Sequence, residues 1–99
     1  MTKKFIDFTV FESPTEPYAR VCGELDLPDD LSEGDLVALF DANADLVIQL
    51  PVQYLAMTEH YGSHLVGLED VVAESRGAAV LLCQRLATRG LDIEPFSIG

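Results

Sequence analysis

Two histidines, four residues apart, are the first residues whose type and spacing suggest chemistry. His60 and His64 have the spacing that places two zinc ligands on one face of a helix, and Glu59 precedes them. The residues between them, 61–63, form a poor helix sequence, and no third ligand follows at a recognisable spacing. We therefore interpret both as surface or loop histidines and predict no metal site.

A cysteine–histidine pair is the second candidate, with Cys22 as a thiolate nucleophile beside one of these histidines. Cys22 lies between Arg20 and Glu24 on a predicted strand, and a negative neighbourhood raises the pKa of a thiol. We therefore predict that the protein is not an enzyme and uses no cofactor. A small ligand-binding, metal-binding or catalytic domain that uses His60, His64 and Cys22 is the alternative hypothesis.

The segment 41–45 resembles the start of a calcium-binding loop, with Asp41, Asn43 and Asp45 at the first three ligand positions. The following position requires glycine and is Leu46, and the twelfth requires glutamate and is Val52. Asp, Asn and small residues are also the residues that hairpin loops favour. We predict a hairpin loop here rather than a calcium site.

Acidic residues dominate the charge of the chain, with 17 Asp and Glu against six Lys and Arg and a formal net charge of −11. No Lys or Arg occurs between Arg20 and Arg76, and the acids of that interval are densest between positions 24 and 45. The lack of a basic patch argues against direct nucleic-acid binding. A block of one sign steers basic partners during association. The predicted partner-binding residues are Glu24, Asp26, Asp29, Asp30, Glu33, Asp35, Asp41 and Asp45.

The plainest interpretation of this block is a set of solvated carboxylates that keep the protein in solution. The functional hypothesis is a small acidic, non-enzymatic interaction protein, such as an inhibitor, antidote or adaptor, that binds a basic protein surface. One variant is mimicry of nucleic-acid charge: Glu24 and Asp26 on one strand face would lie ~6.6 Å apart, against roughly 7 Å between phosphates. A nucleic-acid-binding protein would then be the partner. A structural subunit of a larger assembly is a further alternative.

Period-two alternation of apolar and polar side chains predicts two strands near the start of the chain. Residues 5–12 and 18–27 alternate in this way, and a proline-containing turn separates them. Residues 91–98 are predicted as the last strand, and Pro95 favours an edge position for it.

A hairpin is predicted from the apolar run after Gly34 and the alternating residues 46–54, joined by the acidic loop. A helix is the alternative over 31–45, because Ser32 and Asp35 have the spacing of a helix cap. Pro51 cannot donate a ladder hydrogen bond, so we expect an edge or a bulge at that position.

Residues 68–89 are predicted as the one long helix, after a helical turn and a loop over 55–67. Acids lie near its start and arginines near its end, as the helix dipole favours, and Gly90 is a natural stop. The apolar face predicted for it comprises Leu68, Val72, Ala79, Leu82 and Leu86.

These elements predict an α+β fold: a mostly antiparallel sheet of four to five strands with one long C-terminal helix packed on one face. The length favours a single domain over 1–99. A homodimer through the sheet edge or the helix is expected from the proline-marked edges. No apolar run approaches a membrane helix, and the two cysteines suit a reducing compartment, so we expect a cytoplasmic protein.

Overall fold

Residues 1–58 and 63–96 are described by a computed structural model of the chain. Within them the fold is α+β, as predicted, with seven strands and one helix. The elements in chain order are β1 (Thr2–Ser13), β2 (Glu16–Leu27), β3 (Leu36–Phe40), β4 (Leu46–Thr58), β5 (Ser63–Leu68), β6 (Val71–Val72), α1 (Arg76–Thr88) and β7 (Asp92–Pro95).

The strands form one mixed sheet in the order β3-β4-β5-β1-β2-β7, and β6 pairs with β1 beyond the end of β5. Four of the six strand pairs are antiparallel, whereas β1 pairs with β5 and with β6 in parallel. The predicted antiparallel character is therefore right in outline. The sheet is larger than predicted, because segments expected to be loop or helix supply β5 and β6.

The hairpin of β1 and β2 is the centre of the fold and shows why alternation predicts strands well. Ile6, Phe8 and Val10 are buried on one face of β1, and Val21 and Ala19 lie opposite Phe8 and Val10 on β2. The other face carries Asp7 and Arg20 together with the less polar Phe5 and Cys22. Period-two burial of this kind is what one covered and one uncovered face of a sheet impose.

Helix α1 is shorter than the predicted helix and begins at Arg76 instead of position 68. Ser75 caps it, because its side chain accepts a hydrogen bond from the Ala78 N–H at 3.1 Å. Gly90, with φ of 103°, follows its last turn, so the predicted stop is confirmed. No acid lies in the first turn, so the predicted dipole pairing there is wrong.

The residues before the helix continue the sheet. Leu68 ends β5, and Val72 belongs to β6, although both fitted the apolar spacing of a helix. Between the two strands, Asp70 accepts a hydrogen bond from the Thr9 N–H at 3.0 Å, in place of a backbone carbonyl. The segment predicted as a helical turn and loop over 55–67 is also mainly strand, because β4 runs to Thr58 and β5 starts at Ser63.

Helix α1 covers one face of the sheet, which leaves the opposite face, here called the open face, uncovered by it. Ala79, Cys83 and Leu86 are buried in one core cluster with the inward residues of β1 and β2, such as Ile6 and Val21. Pairing of Cys22 and Cys83 in a disulfide does not occur; both are free and buried. The part of the chain that is described contains no helix with the length and apolarity that crossing a membrane requires.

Candidate interaction surface

The loop between β2 and β3 carries four of the predicted partner-binding acids and is held against the start of β1. The Thr2 hydroxyl donates to the Asp29 carboxylate, and the Lys4 ammonium donates to the Pro28 carbonyl at 2.9 Å. The hydrogen bond from Thr2, with the nearby N-terminus and Lys4, lowers the pKa of Asp29. These contacts therefore hold the loop and its acidic side chains in a fixed position against β1.

A turn inside this loop explains the ambiguous spacing of Ser32 and Asp35. The Ser32 N–H donates to the Asp35 carboxylate at 2.9 Å, and the Asp35 N–H donates to the Ser32 carbonyl at 3.1 Å. The contact is the one expected of a helix start, yet the Asp35 carbonyl then accepts from the Val52 N–H at 2.9 Å and the chain enters β3. The hairpin prediction is confirmed and the helix alternative is wrong.

Asp41 lies in the β3–β4 hairpin loop and uses its carboxylate within the chain. It accepts the N–H groups of Asn43 and Asp45 at 2.9 and 3.0 Å, and the Arg85 guanidinium at 3.2 Å. Burial raises the pKa of Asp41, but these hydrogen bonds outweigh it and hold the pKa below its usual value. The first ligand of the calcium-like pattern is thus part of the hairpin, which makes Asp41 a poor contact for a partner.

Glu24 and Asp26 point outward from the open face of β2, and both are exposed. Asp30, Glu33 and Asp45 are also exposed. None of these five carboxylates forms an ion pair with the residues that the structure describes. They are the predicted partner-binding acids that remain available to another molecule.

Two further acids extend this surface and were missed in the sequence. β7 lies beside β2, and Asp92 and Glu94 pair with Cys22 and Arg20, so they share the open face. Both are exposed. The pairing of β7 with β2 is what brings them beside Glu24. We call Glu24, Asp26, Asp92 and Glu94 the acidic face.

Arg20 is the base placed among these open-face acids. It donates two hydrogen bonds of 2.8 Å to the Asp7 carboxylate and lies 3.5 Å from Glu94. The hydrogen bonding to Asp7, opposed in part by burial, raises the pKa of Arg20. Because its charge is largely taken by Asp7, Arg20 leaves the neighbouring acids mostly uncompensated.

Cys22 is enclosed in this setting and is not disposed to act as a nucleophile. It is 4% exposed, and burial, followed by the nearby Glu94, raises its pKa against the opposing effect of Arg20. His64 is exposed on β5, three residues from Gly67, which aligns with Cys22 across β1. An odd offset places the two side chains on opposite faces, with Cα atoms roughly 14 Å apart. His60 lies outside the described residues.

Two arginines from outside the acidic interval, Arg85 and Arg89, lie close to its acids in the folded protein, although they are far from them in the sequence. Arg85 reaches Asp41, and the Ala42 N–H donates to the Thr88 hydroxyl at 3.1 Å, so the hairpin loop rests on the end of α1. Arg89 lines a crevice with Asp26. The acidic residues are therefore divided into a part around Asp41 that is ion-paired with Arg85 and a second part, formed by the acidic face and the 28–35 loop. Among the described residues, Glu94 is the one acid of the second part with an ion pair.

Metal binding finds no support in the geometry of the described residues. Within 1–58 and 63–96, no group of three or more His, Cys, Asp or Glu side chains is arranged to hold an ion. The acidic face and the 28–35 loop present exposed carboxylates held in position by the sheet and by the contacts of the loop. Comparisons of the chain with protein families, with curated proteins and with solved structures found no match.

Proposed function

We propose that this protein is a non-enzymatic interaction protein that binds a basic surface on another protein and acts as an inhibitor, antidote or adaptor. The observation that supports the proposal is the group of exposed carboxylates on the acidic face and the 28–35 loop. Glu24, Asp26, Asp30 and Glu33 have no ion-pair partner in the described part of the chain. Like charges on neighbouring strands repel, and a basic partner relieves that repulsion.

The spacing of the acidic face favours a nucleic-acid-binding protein as the partner. Glu24 and Asp26 lie two residues apart on β2, and Asp92 and Glu94 repeat that interval on β7. Two strand rises span ~6.6 Å, close to the roughly 7 Å between successive phosphates of a nucleic-acid strand. A site that reads the phosphate backbone by charge would accept such a row of carboxylates.

Salt-dependent capture tests the proposal directly. The immobilised protein is exposed to a lysate of its source cell at about 50 mM salt and again at about 500 mM, where screening is severe. Retained proteins are identified by mass spectrometry, and the affinity of each is then measured with purified material. We expect a basic protein whose binding weakens by at least about ten-fold between these conditions. Duplex DNA should compete with this binding if the partner reads phosphates.

A charge-reversal variant locates the contact. Glu24→Lys, Asp30→Lys and Glu33→Lys are combined, because none of these carboxylates has an ion-pair partner in the described residues, so the fold should persist. The partner's affinity should fall by at least about a hundred-fold, as for several surface charges reversed together.

The matched control makes the same change of net charge at exposed acids elsewhere, at Glu16, Glu69 and Glu74. It should retain most of the affinity, with only the long-range part of the attraction reduced. Equal loss in the two triple variants would mean that net charge alone drives the binding. A purified partner whose affinity ignores both salt and the first variant would refute the proposal.

A further inference from the structure

Strand β3 ends the sheet and presents a free hydrogen-bonding edge. Of the described strands, only β4 pairs with it. The Val52 N–H donates to the Asp35 carbonyl, so the antiparallel alternation directs Val37 and Leu39 to β4. Leu36, Ala38 and Phe40 therefore direct their N–H and C=O groups away from the sheet. The pairing of Leu36 with Pro51, which has no N–H, agrees with this phase.

The side chains of this edge are apolar and partly uncovered. Leu36 is 63% exposed and Phe40 is 41% exposed, while Val37 and Leu39 are buried against the core. The strand contains neither a charged residue nor a proline, which are the residues that commonly block pairing at a sheet edge. Five residues of backbone and two large apolar side chains are thus offered together on one edge.

A crevice of about 150 Å³ lies along the free edge. Ala38, Leu39 and Phe40 form one wall, and residues at the end of β2 together with Arg89 and Leu91 form another. No residue of β4 lines it, so the crevice lies on the side of β3 away from its partner strand. A strand added to this edge would place alternate side chains over a hollow whose lining is apolar apart from Asp26 and Arg89.

Acidic residues flank the edge at both ends. Glu33 and Asp35 precede β3, and Asp41 and Asp45 follow it, with Glu33 and Asp45 exposed. Asp41 is already engaged by Arg85, so an extended segment with basic residues on both sides of its core would meet Glu33 near one end of β3 and Asp45 near the other.

We infer that β3 accepts an extended, strand-forming segment of a basic protein, in which apolar residues alternate and Lys or Arg flank the core. This inference rests on the proposed function and specifies how the partner docks, by addition of a strand to the sheet. A second copy of this chain is a poor occupant. Antiparallel pairing of two β3 strands would set position 35 of one copy against position 41 of the other, which are both aspartates.

A synthetic peptide tests strand addition without knowledge of the natural partner. The probe has nine residues: two lysines, a core of five alternating valines and threonines, and two further lysines. Its binding is followed by fluorescence anisotropy of an attached dye at low salt. The control peptide has the same sequence with all five core amides methylated, so it keeps the charge and cannot donate backbone hydrogen bonds. We expect the control to bind at least about ten-fold more weakly.

Ala38→Pro is the matching change in the protein, because it removes an N–H of the free edge and leaves the bonds to β4 in place. We expect at least about ten-fold weaker binding of the unmethylated peptide. Ala38→Val keeps the N–H and should bind as the wild type does. Far-UV circular dichroism and the thermal midpoint show whether Ala38→Pro is folded. If Ala38→Pro is not folded, the relative affinity of the wild-type protein for the two peptides still tests strand addition.

The outcomes separate this inference from the proposed function. Equal binding of the methylated and unmethylated peptides, or no measurable binding of either, would overturn strand addition. The acidic surface would still stand if a purified partner lost affinity in the charge-reversal variant. A dimer in sedimentation that dissociates on Ala38→Pro would also overturn it, since the edge would then be occupied by a second copy. Loss of peptide binding in Ala38→Pro, with retention in Ala38→Val, is the supporting result.

Discussion

Truncation of Leu86 is the most direct measure of how α1 is attached to the sheet. Leu86 is 0% exposed and lies in the core with Ala79 and Cys83. Leu86→Ala removes three carbon groups at ~0.8 kcal/mol each, and the cavity left behind adds to this loss. We expect the free energy of unfolding to fall by about 3–4 kcal/mol, and the thermal midpoint by about 15–25 °C for a chain of this length.

Urea unfolding followed by circular dichroism measures this loss, with Leu81→Ala as the matched control. Leu81 is on the same helix and is 59% exposed, so the same truncation should cost less than about 1 kcal/mol. The difference between the two variants reports which side of the helix faces the sheet. Similar losses at the two positions would refute the packing described, as would a Leu86→Ala protein as stable as the wild type.

Three further predictions follow from local contacts. Ser75→Ala should lower the free energy of unfolding by about 1 kcal/mol, measured in urea, because the Ala78 N–H loses its cap; an unchanged midpoint would contradict that cap. The pKa of Asp41 is lowered in the folded state, so its contribution to stability is complete above the usual carboxyl pKa and is lost as the pH falls through the folded value. Urea midpoints between about pH 5 and 2.5 should therefore fall less steeply in Asp41→Asn than in the wild type, and equal slopes would oppose the argument. Burial raises the pKa of Cys83 to about 11 and also raises that of Cys22, so a thiol reagent at neutral pH should modify neither until denaturant is added.

The strands that alternation predicts are those whose two faces differ in environment. β1 and β2 have one face under α1 and one open, so their sequence shows a clear period of two. The β3–β4 hairpin was also predictable, because its loop composition is local information. Local pattern is sufficient when both partners of a strand pair are close in the chain.

The start of the helix was not predictable from its apolar spacing. Leu68 and Val72 are four residues apart, which fits a helix, but they also fit two short strands that pair in parallel with β1. Parallel pairing joins segments about sixty residues apart, and nothing local marks it. Ser75 was the available signal, since a serine in front of a run rich in Ala, Leu and Arg is a natural cap.

The candidate surface was predictable in part for the same reason. Glu24 and Asp26 were placed correctly on the exposed side of β2 by alternation alone. The addition of Asp92 and Glu94 required the pairing of β7 with β2, and the engagement of Asp41 by Arg85 joins positions far apart in the chain. An acid that is far from any Lys or Arg in the sequence, such as Asp41, can still pair with one in the folded protein.

β4 changes partner along its length, and this has a consequence for how the protein opens. Residues up to Pro51 pair with β3, and residues from Val52 onward pair with β5, with a register shift before Tyr54. The β3 ladder can therefore separate without breaking a hydrogen bond of the β5 ladder. Amide hydrogen exchange should resolve two cooperative units, with the amides of Val37 and Leu39 exchanging through smaller openings than those of the central hairpin.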